Sequence, residues 1–154
     1  MYQGLLHLHN FGRWIVLSLL LIAIFKSLIG MAGNKSFNSA DNKTGLFLMI
    51  SAHIMLLIGL YQWFAGPGLG SIQNMGMKAA MQNSVARFWA VEHPVGMIIG
   101  IILITMGRAS TKKKITDKAK HKRSFWFYFI ALLIIVASVP WPFREVARPL
   151  FPGT

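Results

Sequence analysis

The chain contains no cysteine. That absence excludes disulfides, thiolate metal sites, iron–sulfur clusters and covalently attached c-type haem. Any metal or prosthetic group must be held by histidine, methionine, carboxylate or backbone groups. Acids are nearly missing too: Asp41, Glu92, Asp117 and Glu145 are the only four in 154 residues. No paired carboxylates, nucleophile–base set or phosphate loop occur, so an enzyme acting on a soluble substrate has no visible machinery. Charged residues are only 13% of the chain and hydrophobic ones 55%, which fits an integral membrane protein.

Basic residues are plentiful, and the net charge is +12. In a soluble protein this excess would raise the question of nucleic acid. Here basic residues crowding loops beside anionic headgroups account for it, and no nucleic-acid partner is expected.

The hydrophobic residues fall into four runs, 5–30, 45–64, 88–106 and 124–139. Each reaches or approaches the roughly 20 residues a helix needs to cross the hydrocarbon. The expectation is an all-α fold, one membrane domain over 1–154 built as a bundle of four transmembrane helices. No Lys or Arg precedes Arg13 and no small-residue cleavage site follows the first run, so that span reads as a retained anchor. Pro140 and Pro142 end the fourth helix, with Trp141 between them as an interfacial anchor.

Loop charge sets the expected orientation. The loop 107–123 carries eight Lys or Arg, and Lys26, Lys35 and Lys43 lie around the first loop on the same side. That side is read as cytoplasmic, which puts both termini outside, in the periplasm of a Gram-negative cell. His121 belongs to this loop and reads as a solvated residue without a role in chemistry. The outer loop 65–87 could contain a short surface helix over 71–84, or be a plain connector.

Four histidines fall within apolar runs: His7 and His9 open the first, His53 lies in the second and His93 in the third. An ionisable group at membrane depth is costly and is by default a site hypothesis. At 1.5 Å per residue, His93 lies roughly 6 Å outward of its span's midpoint, His53 about 2 Å inward and His9 roughly 9–14 Å outward. His7 lies a further 3 Å or so out. Imidazoles in the centre and outer half of a bundle suit a b-type haem, whose iron takes one or two of them between apolar walls. His93 is the first choice of ligand, His9 its better match in depth and His53 the second choice. A His–Met pair using Met55 or Met97 is an alternative.

Gly96 and Gly100 share the His93 face. A glycine groove there would accept a flat ring, and equally a second helix. Propionates could pair with Arg13, one turn from His9, or with Arg87 or Arg144. Glu92 reads first as a structural ion pair with Arg87 or Arg13, and second as a proton shuttle to an outer quinone.

Together, Leu8-His9-Asn10-Phe11-Gly12-Arg13-Trp14, the segment 52–60 and Phe88-Trp89-Ala90-Val91-Glu92-His93-Pro94 followed by Gly107-Arg108 resemble a family of short bacterial four-helix membrane proteins labelled cytochrome b-like. The resemblance runs over nearly the whole chain and extends to Pro140-Trp141-Pro142. It implies a b-haem role on His9, His53 and His93, and the bacterial inner membrane as location.

Two functions compete. One is a membrane cytochrome b or haem-carrying respiratory subunit, passing electrons between quinol and an outer-side partner. The other is a non-haem structural or assembly subunit, bound to other membrane subunits or to a second copy. Its histidines would be interhelical hydrogen-bonding groups worth about 1 kcal/mol or less each. A channel or transporter is disfavoured, because Ser18, Ser51, Gln62 and Thr105 are nearly all the polar lining the spans offer and no inverted repeat is visible.

Overall fold

A computed structural model describes residues 1–148. Helix α1 runs Tyr2–Ala32, α2 Ser39–Ala65, α3 Pro67–Gln82, α4 Ser84–Arg87, α5 His93–Ser110 and α6 Asp117–Ser138. A π-helical turn, Phe88–Glu92, joins α4 to α5. No strand occurs among the described residues. Four helical stretches, Tyr2–Ala32, Ser39–Gln82, Ser84–Ser110 and Asp117–Ser138, are long and apolar enough to cross a membrane. The architecture is that of a multi-pass membrane protein.

The four long helices pack in a ring. Helix α1 contacts α2 and α6, and α5 contacts α6 and α2, so α1 and α5 lie on one diagonal. Leu20, Leu48, Ile104 and Ala131, one from each helix, are wholly buried and form the central layer. Small residues let the helices approach. Met55 of α2 lies against Gly12 of α1, and the His121 ring of α6 against Gly30. Outward, Phe25, Phe47, Leu57, Phe64 and Leu133 are exposed. On a soluble monomer such an apolar belt would exceed any ordinary surface patch, whereas in a bilayer it is the lipid face.

Local chemistry sets the ends. Helix α2 opens with a capping box: Asn38 Oδ1 accepts the Ala40 and Asp41 N–H groups at 2.9 and 3.2 Å, and Asp41 Oδ2 accepts the Asn38 N–H at 3.0 Å. Asp41 also pairs with Lys26 at 3.2 Å, tying α2 to α1. Of the two readings of segment 71–84, helix or connector, the structure has the helix, α3, which starts earlier, at Pro67, and ends at Gln82. It is broken at Gly76, where φ is 78°, a left-handed conformation glycine adopts freely.

The expected basic loop 107–123 is mostly helix. Helix α5 continues to Ser110, and α6 begins at Asp117 behind Thr116, whose hydroxyl accepts the Ala119 N–H at 3.3 Å. A capping Thr and an acid in the first turn start a helix there despite the positive charge around it. His121 therefore lies on a helix and is 2% exposed, against the expectation of a solvated residue.

Candidate functional site

Two ends can be told apart. An even number of spans returns the chain to its starting side, and Tyr2 and Arg148 line one cavity there. We call this the terminal end. The opposite side is the basic-loop end.

The cavity at the terminal end has a volume of about 120 Å³ and lies along the bundle axis. Val16, Leu17, Met55, Leu56, Met97 and Ile101 form its apolar walls. Its polar groups are His9, Asn10, Arg13, Gln62, His93 and Arg148. His9 on α1 and His93 on α5 meet across the diagonal, with ring centroids 6.4 Å apart and planes at 65°. Two metal–imidazole bonds of about 2 Å each, plus the ring radii, span a comparable distance.

The backbone around His93 follows from three prolines. In an α-helix the N–H of residue i+4 satisfies the carbonyl of residue i. Pro94 has no N–H, so the Ala90 carbonyl loses its donor, and the proline ring crowds that carbonyl. The chain answers with the π turn, in which the His93 N–H reaches Phe88 O, while Trp63 Nε1–H donates to Ala90 O at 3.0 Å. The same deficit recurs at the end of α6. Pro140 and Pro142 leave the Val136 and Ser138 carbonyls without helical donors. Trp141 Nε1–H fills the first at 2.8 Å, and His93 Nδ1–H fills the second at 2.8 Å.

His93 is thereby held in one tautomer. Its Nδ1 is committed to Ser138 O, and the Nε2 lone pair remains. A carbonyl behind the imidazole is the usual support of a metal-ligating histidine. His9 Nδ1 is buried and has no hydrogen-bond partner. These two nitrogens are the donors that could hold a metal or a haem iron. The cavity is narrower than the roughly 300–1,000 Å³ common for sites of larger ligands. Seating a macrocycle requires one wall to move outward. Helix α2 is the least buried wall: its most apolar stretch is 17% buried, against 28–39% in the other three spans.

His53 is elsewhere. It is exposed on the outer face of α2, and its Nδ1 bonds Met49 O of its own helix at 2.8 Å. The three histidines do not converge, and among the described residues no three His, Asp or Glu side chains group as a metal site. His7 is also exposed. Gly96 and Gly100 do not line the cavity; they seat α6. A Cβ on Gly96 would strike Ser138 Oγ, and one on Gly100 would lie 2.6 Å from Ile135 Cγ1. Of the two uses open to this groove, a flat ring or a second helix, it is the helix that fills it.

The arginines divide. Arg13 lines the cavity and lies over the Trp14 ring at 5.5 Å. Arg87 pairs with Glu92 at 2.6 Å, the structural ion pair expected for that acid. Arg144 donates to Ala137 O at 2.9 Å and covers the Phe88 ring at 4.9 Å. Arg148, which sequence reasoning passed over, lines the cavity and covers Trp89 at 4.5 Å. Trp63 and Ser138 were missed as well. Their signal is each proline's missing donor, traced four residues back.

No protein-family model, curated protein or solved structure matches the chain.

Proposed function

We propose that the protein is a b-type membrane cytochrome or haem-carrying respiratory subunit, with His9 and His93 as the imidazoles that would hold the haem. The observation that carries this reading is the meeting of the two rings across the bundle diagonal, 6.4 Å apart at one end of an apolar cavity. Haem, when bound, supplies one-electron redox chemistry. The chain's residues supply the rest. Ser138 O orients His93 and leaves its Nε2 lone pair to the cavity. Val16, Leu17, Met97 and Ile101 exclude water from the walls. Arg13 and Arg148 give two cations for carboxylates at the polar end.

The basic segment beyond α5 supports a cytoplasmic basic-loop end, so the histidines and both termini face the outer side of a bacterial inner membrane. A quinone is the candidate electron donor there. Other membrane subunits or a second copy are the candidate partners, and an electron-transfer or accessory role fits the chain better than a free-standing enzyme.

Spectroscopy tests the proposal. Protein purified in detergent from a haem-sufficient host is expected to be red, with a Soret band that shifts on reduction. His9→Leu and His93→Leu should each lose or alter it, while His53→Leu should not. A colourless, folded wild-type protein refutes the reading.

A second reading is favoured by the His93–Ser138 bond, which closes the frayed end of α6. Under it the chain is a non-haem structural or assembly subunit, and the histidine is interhelical glue. His93→Gln keeps an N–H donor and should then leave fold and complex intact. Loss of function with the fold preserved argues against this alternative.

A further inference from the structure

The outer surface of the basic-loop end carries charge that the protein itself does not use. Lys122 and Arg123 on α6 are both exposed. They are the last ionised residues before the apolar stretch of that helix begins at Phe125. Among the described residues the ion pairs are Lys26–Asp41, Arg87–Glu92 and Asp117–Lys120, so neither cation meets a carboxylate. Their neighbours are committed to the protein: Lys120 reaches Asp117 at 3.6 Å and covers the Phe37 ring at 5.7 Å, and His121 is buried.

Both cations stand at the head of a groove. Residues three, four and seven apart share a helix face, so Ala119, Lys122, Trp126 and Ile130 form one stripe, with Arg123 and Phe127 beside it. These side chains and Leu103 of α5 line an open trough of about 480 Å³. The trough is ordered by depth. Trp126, 51% exposed, lies one turn below Lys122, at the level where indole rings meet lipid headgroups. Ile130, 42% exposed, lies about 12 Å below Lys122 at the rise of an α-helix. Polar head and apolar tail therefore follow each other down one face.

Chemistry narrows the occupant. A second apolar helix laid in the trough would strip water from two cations and offer them no counter-charge, which is costly. A small soluble anion would suit the head and leave the tail uncovered. A zwitterionic lipid fills the tail, but its ammonium group offsets the phosphate charge. The geometry points to a groove for an anionic phospholipid of the phosphatidylglycerol class. Its phosphodiester oxygens accept from Lys122 and Arg123, whose long stems reach toward the headgroup layer. One acyl chain runs past Trp126 and Phe127 to Ile130, against Leu103. Bound there, the lipid ties α6 to α5 at the end of the bundle away from the histidine cavity, whatever that cavity holds.

The test uses the full chain in detergent, with phosphatidylglycerol or phosphatidylcholine of identical acyl chains. Native mass spectrometry counts retained lipids and thermal unfolding reads their effect. One phosphatidylglycerol should be retained where phosphatidylcholine is lost, and it should raise Tm to a plateau, because a ligand of the folded state stabilises by mass action. Lys122→Gln combined with Arg123→Gln should move the lipid midpoint upward roughly 30-fold, about fivefold for each cation. Both positions are exposed, so the fold should survive. Lys113→Gln combined with Lys114→Gln removes the same charge from exposed positions outside the groove and should leave the midpoint unchanged. Glycerophosphoglycerol, the same headgroup without chains, should not shift Tm. Equal retention of the two lipids, equal weakening by the two double variants, or an equal shift from the chain-free headgroup overturns the assignment. So does a dimer that only the Lys122→Gln, Arg123→Gln variant abolishes, since a second copy would then own the groove.

Discussion

Replacing Gly100 by alanine separates the two uses a glycine stripe could serve. A methyl at this position would lie 2.6 Å from Ile135 Cγ1 and 3.0 Å from its Cδ1. Ile135 is 5% exposed, and its β-branched side chain has one favoured rotamer in a helix, so it has little room to turn away. Overpacking of this kind costs about 1–3 kcal/mol. Alanine returns up to about 1 kcal/mol of helix propensity over glycine. The net expectation is a loss of about 1–2 kcal/mol, or a Tm lower by roughly 2–8 °C for a chain of this size. Gly70→Ala is the control, since a Cβ there meets nothing within 4 Å. It should be neutral or slightly stabilising. The assay is thermal unfolding in detergent, followed by tryptophan fluorescence on cofactor-free protein. If Gly100→Ala unfolds at the same temperature as Gly70→Ala, the tight α5–α6 contact is not what the stripe is for.

Other perturbations probe other joints. Trp63→Phe removes the donor to Ala90 O, which Pro94 cannot replace; a loss of about 1–3 kcal/mol is expected, and unchanged unfolding would mean the π turn is held by other means. Asn38→Ala dismantles the α2 capping box and should cost about 0.5–2 kcal/mol, measured the same way. His121→Leu exchanges a buried ring with no partner on either nitrogen for an apolar side chain, so stability should hold or rise by about 1 kcal/mol; a clear drop in Tm would reveal a polar partner for the ring. Arg87→Gln breaks an ion pair whose two side chains are 39% and 44% exposed, so it should change stability by less than about 1 kcal/mol at moderate salt.

The four spans were legible because membrane helices announce themselves by length and apolarity, and both properties are local. Their partners were not. His9 and His93 are 84 positions apart, and matching their depths suggested a pair, but only the ring order of the helices shows that α1 and α5 face each other. His53, the second choice by depth, faces outward, a matter of rotation about the helix axis that a uniformly greasy helix does not encode. Gly96 and Gly100 fitted either a ring or a helix, and the contents of the groove come from α6, some 35 residues later. His121 was misread because charge density was taken as a sign of solvent. Its lysine and arginine neighbours point outward while every third or fourth residue, His121, Ser124 and Tyr128, turns inward.

The π turn fixes the length of the connection between the surface segment and α5. It holds one residue more per turn than the helix on either side needs. Deleting any single position from 88 to 92 would remove that extra residue, although Pro94 would still leave one carbonyl without a helical donor. Everything upstream would then swing about 100° around the axis and draw in by about 1.5 Å. Trp63 would lose the Ala90 oxygen, Arg87 would part from Glu92, and the ledge formed by α3 would point in a new direction. In this stretch the residue count constrains the molecule as strictly as residue identity does, so insertions and deletions there should be tolerated far less than substitutions.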